Sequence, residues 1–314
     1  MKIRFIFNPR SGRNARRPSL APSIQAYIRE RNLDATLVTT ARPHHATELA
    51  RAAVAEGCDR VVAVGGDGTM NEVAQALLHS PAALGLIPCG SGNGLALHLG
   101  IPLAAPRALA LATDPHARAA AIDTGTVNGL PFFNAMGLGF DADISERFNH
   151  LTRRGLPAYV RTGIRAWIGR RTETVIVRGG GHSAALDILL VAVANSDQYG
   201  NNARIAPGAR VDDGLLDLVA VRPVSMINVL PLVARLFAGQ FHTSPRVMRL
   251  RDTAFTIERP AAGLVHTDGE THATGATLSI RVLPRSLRLL VPAHARLIAT
   301  NDRATPRDIE LQLP

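Results

Sequence analysis

Residues 61–71 read VVAVGGDGTMN, and this stretch decides the fold of the first part of the chain. The apolar, β-branched residues 61–64 predict a buried strand. Three glycines follow, which let the backbone turn tightly and approach a ligand closely: Gly65, Gly66 and Gly68. Apolar residues then recur at helical spacing, with Thr69 as the expected N-cap. A strand, a glycine turn and a helix start together present backbone N–H groups to a phosphate.

Two further loops have the composition of a phosphate site. The segment NPRSGR at 8–13 follows a predicted strand, where its arginines could bind phosphate oxygens or simply lie in a solvated turn. The segment GSGNG at 90–94 follows the strand predicted at 83–88, with Ser91 and Asn93 as hydrogen-bond donors. Asp67 lies inside the first glycine turn, where a carboxylate would repel a bare phosphate and needs a metal ion, a cation or a proton to transfer.

The amino-acid composition limits the classes of protein to which the chain can belong. The 314 residues are 46% hydrophobic and 19% charged, with a net charge of +10 that favours anionic partners. Aromatic residues make up only 4% of the chain, which argues against a nucleic-acid-binding surface that stacks bases on aromatic side chains. The most apolar run, 215–237, is interrupted by charges and prolines and is too broken for a membrane span of ~20 residues. Two isolated cysteines and no recognisable export signal predict a cytoplasmic protein.

The chain changes character near residue 121. Strands alternate with helices over the first part, which predicts a doubly wound α/β domain at 1–121 with a parallel sheet. Short strands separated by turns then predict an antiparallel β-sandwich at 122–291, interrupted by helical stretches at 145–171 and 225–238.

Together the motifs resemble the diacylglycerol kinase catalytic family of lipid kinases, which includes sphingosine and ceramide kinases and soluble bacterial members. The matching segments occur in family order along nearly the whole chain: NPRSG at 8–12, Thr40, GGDGTMNEV at 65–73, IPCGSGN at 87–93, IDTG at 122–125, FFNAMGLGFDADI at 132–144, VDDGLLDL at 211–218 and TDGE at 267–270. The resemblance implies a nucleotide-binding domain that uses ATP with Mg²⁺, and a β-sandwich that binds a lipid. It also implies that the C-terminal tail, about 292–314, returns to the first domain.

The resemblance also implies site residues. The nucleotide-binding positions are Asn8, Arg13, Thr40, Gly65, Gly66, Asp67, Gly68, Thr69, Met70, Asn71 and Ser91, to which the second turn adds Asn93. The catalytic carboxylates are Glu270 and Asp268, where the family places its general base, with Asp67 and Asp123. Asp213 matches a structural magnesium ligand, joined by backbone carbonyls near Arg210 and Leu215. Asp141 and Asp143 match a segment that contacts the substrate's polar head.

Several alternatives stay open. From local sequence alone, Asp-Gly at 268–269 and at 213–214 also reads as an ordinary turn. Many bacterial diacylglycerol kinases have an acidic residue where this chain has Gly94, and GSGNGLA is closer to the sphingosine kinases. We still expect diacylglycerol as the lipid acceptor, because bacterial-size chains with this layout usually resemble that branch of the family, with a sphingoid base or ceramide as the alternative. NAD kinase and a non-catalytic nucleotide or lipid sensor are the remaining alternatives.

The segment 147–171 is the most basic stretch and could form an interfacial helix on an anionic membrane or a core-facing helix with a solvated face. The expected partners are accordingly a lipid at the membrane surface and an anionic membrane bound peripherally; a homodimer is left open. The scattered histidines, His266 among them, show no metal-ligand spacing and are interpreted as solvent or packing residues.

Overall fold

The structure, a computed structural model, describes residues 1–12, 14–16, 19–149, 172–295 and 297. Arg13 and residues 150–171 of the basic stretch therefore lie outside the described residues, as does the tail from 298. The chain forms two compact units, each described separately: the first comprises Met1–Ile122 with Arg285–Arg296, and the second Asp123–Pro284. No helix among the described residues is long and apolar enough to cross a membrane.

The first unit alternates strands with helices. Its elements are β1 (Ile3–Phe7), α1 (Leu20–Glu30), β2 (Ala35–Thr39), α2 (His45–Ala55), β3 (Arg60–Gly65), α3 (Asp67–Leu77), β4 (Ala83–Pro88), α4 (Gly94–His98) and α5 (Ala105–Thr113). The strands pair in parallel in the order β2-β1-β3-β4. Parallel neighbours need a crossover, and the helices provide it.

Both faces of this sheet are covered, which explains why β3 and β4 are buried along their whole length. On one face, alternate residues of β1 and β3 such as Phe5 and Val62 pack with Ile24 of α1 and Leu109 of α5. The other face carries α2 and α3, which pack against each other and against β1 and β3. The arrangement places the loops after β1, β3 and β4 at one edge of the sheet.

The second unit is built from short strands. It contains β5 (Arg118–Val127, which begins in the first unit), β6 (Leu130–Phe132), β7 (Ala135–Gly139), α6 (Phe140–Asn149), β8 (Glu173–Gly179), β9 (His182–Ile188), β10 (Leu190–Ala194), β11 (Leu216–Val221), α7 (Met226–Ala238), β12 (Val247–Asp252), β13 (Ala254–Glu258), β14 (Gly263–Thr267), β15 (Glu270–Thr274) and β16 (Thr277–Val291, which ends in the first unit).

Two antiparallel layers form this unit. One is a six-stranded sheet in the order β12-β11-β10-β7-β14-β15, and the other runs β16-β13-β8-β9. Residues from both layers form one apolar cluster, with Phe132, Leu138 and Phe255 among its members. A second cluster covers the opposite face of the six-stranded sheet and includes Phe140 and Leu232 of the helices. The predicted combination of an α/β domain and an antiparallel sandwich is confirmed.

The last strand, β16, contributes to both units. Its first half pairs antiparallel with β13, and its end, from Arg285, joins the first unit, where Leu289 lies beside Leu84 in a parallel pairing with β4. Sequence analysis expects a return to the first domain only from about residue 292. Buried and exposed residues alternate from Thr277 to Val282, and this alternation breaks over residues 283–287. Arg285 has a positive φ of +51° in this break, so the irregularity coincides with the point at which the strand passes from one unit to the other.

We predict that Leu289→Ala lowers the free energy of unfolding by about 2–5 kcal/mol, because its side chain is completely buried at this junction. The neighbouring Arg288→Ala is the control, since its side chain is exposed and its loss is expected to cost under about 0.5 kcal/mol. Urea unfolding followed by circular dichroism measures both. Equal unfolding midpoints would contradict the placement of β16 against β4.

Candidate functional site

The two glycine turns of the first unit touch each other backbone to backbone. A Cβ on Gly66 would come within 2.9 Å of the Cα of Gly90, and a Cβ on Gly90 would come within 2.6 Å of the Cα of Gly66. Real side chains do not tolerate such distances, so both positions require glycine. A direct backbone hydrogen bond from Cys89 N to Gly65 O, 2.7 Å, holds the strand ends together just before the turns.

Asp67 links the first turn to the second. Its Oδ2 accepts the N–H of Asn93 and its Oδ1 accepts that of Gly94, both at 2.8 Å, so the carboxylate holds the start of α4. Burial raises the pKa of Asp67, and these two backbone N–H groups act in the opposite direction. From the sequence, the negative charge of Asp67 is expected to need a metal ion, a cation or a proton. In the structure, two backbone N–H groups already stabilise this carboxylate.

The second turn is closed by its own asparagine. Asn93 adopts a left-handed conformation (φ +52°), and its side-chain amide both accepts from Gly90 N at 3.0 Å and donates to Gly90 O at 2.9 Å. This amide, predicted as a phosphate donor, is thus engaged within the turn. Ser91 at the tip of the turn is exposed, so its hydroxyl is accessible to a ligand.

The loop after β1 lies against the first glycine turn. Asn8 donates its amide to the Thr69 hydroxyl at 2.9 Å, and the Ser11 hydroxyl accepts the N–H of Gly66 at 2.6 Å. Asn14 donates to the carbonyls of Asn8 and Val64, at 2.8 and 3.1 Å. Sequence analysis does not identify Ser11 or Asn14 as contributors. The sequence feature that could have indicated these two residues is their position directly after a strand, within the segment NPRSGRN at 8–14.

Thr69 is not the N-cap of α3, as its sequence position predicts. The helix begins at Asp67, so Gly66 occupies the cap and Thr69 lies in the first turn with its hydroxyl turned to Asn8. The predicted cap is wrong because the helix begins inside the glycine turn, so that its cap lies three residues before Thr69. Met70 is buried, and its N–H bonds the Gly66 carbonyl.

The edge formed by these loops has the features of an anion site. Gly68 is exposed and faces open space where a Cβ would lie, so a ligand can approach the backbone at the start of α3. The buried amide oxygen of Asn71 has no hydrogen-bond partner among the described residues; as an acceptor it can receive a donor group of a ligand but does not bind a phosphate oxygen. Thr40 follows β2 at the same edge, where its N–H bonds Phe7 O at 2.9 Å. These features fit a nucleotide triphosphate.

In the second unit, the DGE segment is a two-residue hairpin turn between β14 and β15. Asp268 and Gly269 both have positive φ values, +50° and +91°, as such turns require. The Asp268 carboxylate accepts three backbone N–H groups, from Phe133 at 2.7 Å, Asn134 at 2.7 Å and Ala135 at 3.0 Å. Burial nevertheless raises the pKa of Asp268 to about 6. The aspartate therefore holds the hairpin against the start of β7.

Glu270 differs from Asp268 in its environment. It is the first residue of β15, opposite Thr267, and it is half-buried. Its carboxylate makes no hydrogen bond or ion pair with any residue in the part of the chain that the structure describes. Of the two predicted bases, Glu270 is the one whose oxygens are available to a substrate hydroxyl.

A buried polar cluster beside this hairpin escapes sequence analysis. Asp141 at the start of α6 pairs with His266 Nε2 at 2.9 Å and also accepts the hydroxyl of Tyr199. The other ring nitrogen of His266, Nδ1, accepts the N–H of Gly269 at 3.3 Å, so Nε2 is the nitrogen that carries the proton and donates. Gly137 is a glycine because a Cβ there would lie 2.4 Å from Asp141 Oδ2.

His266 therefore connects Asp141 to the hairpin that carries Glu270, and it is not a solvent or simple packing residue as its sequence context suggests. No local signal reveals this, since Asp141 and His266 are 125 residues apart. Asp141 is buried, whereas Asp143 in the same helical turn is exposed. Of these two predicted substrate residues, only Asp143 is open to a ligand.

Asp123, on β5, is almost completely buried and holds the 211–214 loop. Its Oδ2 accepts the N–H of Gly214 at 2.7 Å, and its own N–H donates to Val211 O at 2.6 Å. Asn195 donates to the carbonyls of Asp123 and Phe133, both at 2.9 Å. This predicted catalytic carboxylate thus connects the start of the second unit to the predicted magnesium loop.

The environment of Asp213 does not fit a resident Mg²⁺. Its Oδ1 accepts the N–H of Leu215 at 3.1 Å, and its Oδ2 is bonded to the guanidinium of Arg251. That guanidinium also reaches the buried Asp217, at 3.0 Å. The described residues contain no group of three His, Cys, Asp or Glu side chains that could hold a metal. A metal ion bound here would have to displace Arg251 from Asp213. The predicted metal ligands, Asp213 with the carbonyls of Arg210 and Leu215, therefore stay a prediction.

The pairing with Arg251 gives a direct test of this metal set. We predict that Mg²⁺ or EDTA leaves the melting temperature of the wild-type protein unchanged, because Arg251 already neutralises Asp213. Arg251→Gln is expected to lower that temperature by about 2–4 °C, and Mg²⁺ is expected to recover part of the loss. Differential scanning calorimetry measures both, with the exposed Arg281→Gln as control. Equal stabilisation of wild type and variant by Mg²⁺ would instead favour a resident metal.

Comparison with known proteins gives a consistent match. Residues 2–152 match the family described as the diacylglycerol kinase catalytic domain, and residues 134–291 match the YegS C-terminal NAD kinase beta sandwich-like domain. A Pseudomonas aeruginosa (strain UCBPP-PA14) protein named "Probable lipid kinase YegS-like" is 33% identical over 273 residues, 84% of this chain and 85% of that protein. A Mycobacterium tuberculosis (strain ATCC 25618 / H37Rv) protein named "Diacylglycerol kinase" is 29% identical over 307 residues, 93% and 96% of the two chains.

Solved structures agree with the fold. The crystal structure of a diacylglycerol kinase from Bacillus anthracis str. Sterne aligns with a TM-score of 0.70 at 21% identity, over 94% of this chain and 98% of that chain. A second crystal structure from the same organism aligns with a TM-score of 0.76 at 23% identity, over 94% and 96%. At these identities the likeness establishes the fold alone.

Proposed function

Because the chain belongs to the diacylglycerol kinase catalytic-domain family of lipid kinases, we propose that it transfers the γ-phosphoryl group of ATP to the hydroxyl of diacylglycerol. Family membership confirms the predicted lipid kinase and implies ATP as the phosphoryl donor. The observation that carries the proposal is the contact between the two glycine turns, with Asp67 holding the start of α4.

The first unit supplies the nucleotide site in this proposal. Phosphoryl transfer depends mainly on positioning and on neutralising charge. The backbone at Gly68 and the Ser91 hydroxyl are exposed and can donate hydrogen bonds, so these groups bind the phosphates. Asn8, Ser11 and Asp67 position the turns from behind. Mg²⁺ enters with the substrate, as the counterion of ATP.

The second unit supplies the proton acceptor. Glu270 accepts the proton of the lipid hydroxyl as that oxygen attacks the γ-phosphorus, for which its carboxylate must lie within ~3 Å of the hydroxyl. Asp268 holds the hairpin that carries Glu270 through its three backbone hydrogen bonds. Asp143, exposed on α6, binds the polar part of the lipid.

The acceptor lipid is the least constrained part of the proposal. Diacylglycerol is favoured by the relatives that carry its name, while Gly94 and the GSGNGLA turn resemble the sphingosine kinases. A decisive experiment incubates the purified protein with MgATP and vesicles containing equal amounts of diacylglycerol, ceramide and a sphingoid base. Mass spectrometry then identifies which lipid gains a phosphate. Phosphorylation of a sphingoid base alone would replace diacylglycerol, and the absence of any lipid product would reject the proposal.

We predict that Glu270→Gln lowers kcat by about 10²–10⁴-fold, because the amide cannot accept the proton. Asp67→Asn should instead raise the KM for ATP by about 10–100-fold, since the amide can replace only one of the two charged hydrogen bonds to the second turn. Glu258→Gln is the control, as its carboxylate pairs only with an exposed arginine of the described chain. Near-wild-type constants in both site variants would reject the assigned roles.

The raised pKa of Asp268 predicts an acid limit to activity. Below pH about 6 the carboxyl is protonated and its charged hydrogen bonds to residues 133–135 are lost, so kcat/KM should fall as pH decreases through that value. Stability should behave oppositely. A carboxyl whose folded pKa exceeds its ordinary 3.8 stabilises the native state most below pH about 4, and this contribution is lost as pH rises through about 6.

Initial rates and thermal unfolding measured across this range test both statements. Activity that falls at pH 5 while the protein stays folded is the expected result. A rate that is flat between pH 7 and 5 would contradict a role for Asp268 in holding the catalytic hairpin.

A further inference from the structure

Helix α7 exposes an unusual amount of apolar surface. Ile227 is 86% exposed, Leu230 74%, Val233 41% and Phe237 38%; these four are among only six large apolar side chains exposed in the described part of the chain. At 3.6 residues per turn they lie on one side of the helix, together with Ala234. We call these five residues the outer face of α7.

The opposite side of α7 is firmly anchored. Leu232 is buried, and Val229 and Leu236 pack against the apolar cluster that covers the six-stranded sheet. The helix is therefore apolar on both sides, although among the described residues only one side contacts an apolar cluster. Soluble surfaces normally place polar residues on the outer side of such a helix, so a contiguous apolar outer face indicates a binding surface.

The surroundings of this face are positively charged. No aspartate or glutamate occurs between Asp217 and Asp252, whereas this segment contains five arginines. Arg249 and Arg251 pair with Asp217 and Asp213, and the other three form no ion pair with a described residue: Arg222, Arg235 and Arg246. Arg222 and Arg246 are exposed and adjacent, since Arg222 N donates to Arg246 O at 2.9 Å just before the helix begins. At the other end, the backbone N–H of Arg204 donates to Leu236 O at 3.0 Å.

We propose that the outer face of α7 docks on an anionic lipid bilayer, with its apolar side chains among the acyl chains and the flanking arginines on lipid phosphates. Charge complementarity favours this occupant. A second copy of the chain would bring one arginine-rich segment against another, whereas an anionic bilayer offers both an apolar interior and negative headgroups. The inference rests on the proposed function only in that the substrate lies in a bilayer.

Vesicle co-sedimentation of the full chain tests the proposal without any substrate. Wild type should bind vesicles of phosphatidylcholine with phosphatidylglycerol far better than vesicles of phosphatidylcholine alone. The double variant Ile227→Ser/Leu230→Ser should lose binding at least tenfold. The matched control is Ile176→Ser, which removes an exposed apolar residue from β8 and should bind as wild type does. Arg222→Gln/Arg246→Gln should weaken binding by about fivefold per arginine and reduce its salt dependence.

Activity assays separate this proposal from the proposed function. With a short-chain diacylglycerol dispersed as monomers, the double variant should retain wild-type turnover, and with vesicles it should lose most of it. If no lipid is phosphorylated under any condition, the binding result still decides whether α7 docks. Equal vesicle binding by wild type and double variant would overturn the proposal. So would a dimer in analytical ultracentrifugation that the double variant abolishes, because a second copy would then cover this face.

Discussion

The carboxylate of Asp67 is the constraint on which the first unit depends. It lies at the start of one helix and accepts the first N–H groups of another, so two separate loops become one surface. The contact works only because Gly66 and Gly90 lack side chains and allow the two backbones to meet. The glycine-rich composition of this edge therefore serves the contact between the turns as much as access for a ligand.

The same type of contact, a carboxylate that accepts backbone N–H groups from another segment, occurs in both units. Glu72 accepts the N–H groups of His44 and Ala46 at the start of α2, Asp123 accepts that of Gly214, and Asp268 accepts three from the start of β7. Several acidic residues of the signature motifs thus hold backbone segments in place. Glu270 stands apart, because its carboxylate has no such bond within the described chain. This contrast separates the residues that shape the site from the one suited to accept a proton.

Local pattern predicted the order of elements well, because strand-to-helix alternation in the first unit and turn-separated strands in the second are properties of contiguous sequence. Local pattern could not predict which residues the site residues contact, because these contacts join distant parts of the sequence. Asp67 meets a turn 26 residues away, His266 meets Asp141 across 125 residues, and Arg251 reaches Asp213 from a neighbouring strand. Thr69 was misplaced because the strand–turn–helix pattern does not show at which residue of the glycine turn the helix begins.

The strand β16 has a consequence for how the chain is made. Its end lies in the first unit beside β4, about 200 residues after β4 emerges from the ribosome. Until then the growing polypeptide exposes the edge of β4, an open template for pairing with other nascent chains. Synthesis must pass the end of β16 before this edge is covered, so translation that terminates earlier yields a product prone to aggregation rather than a smaller working domain.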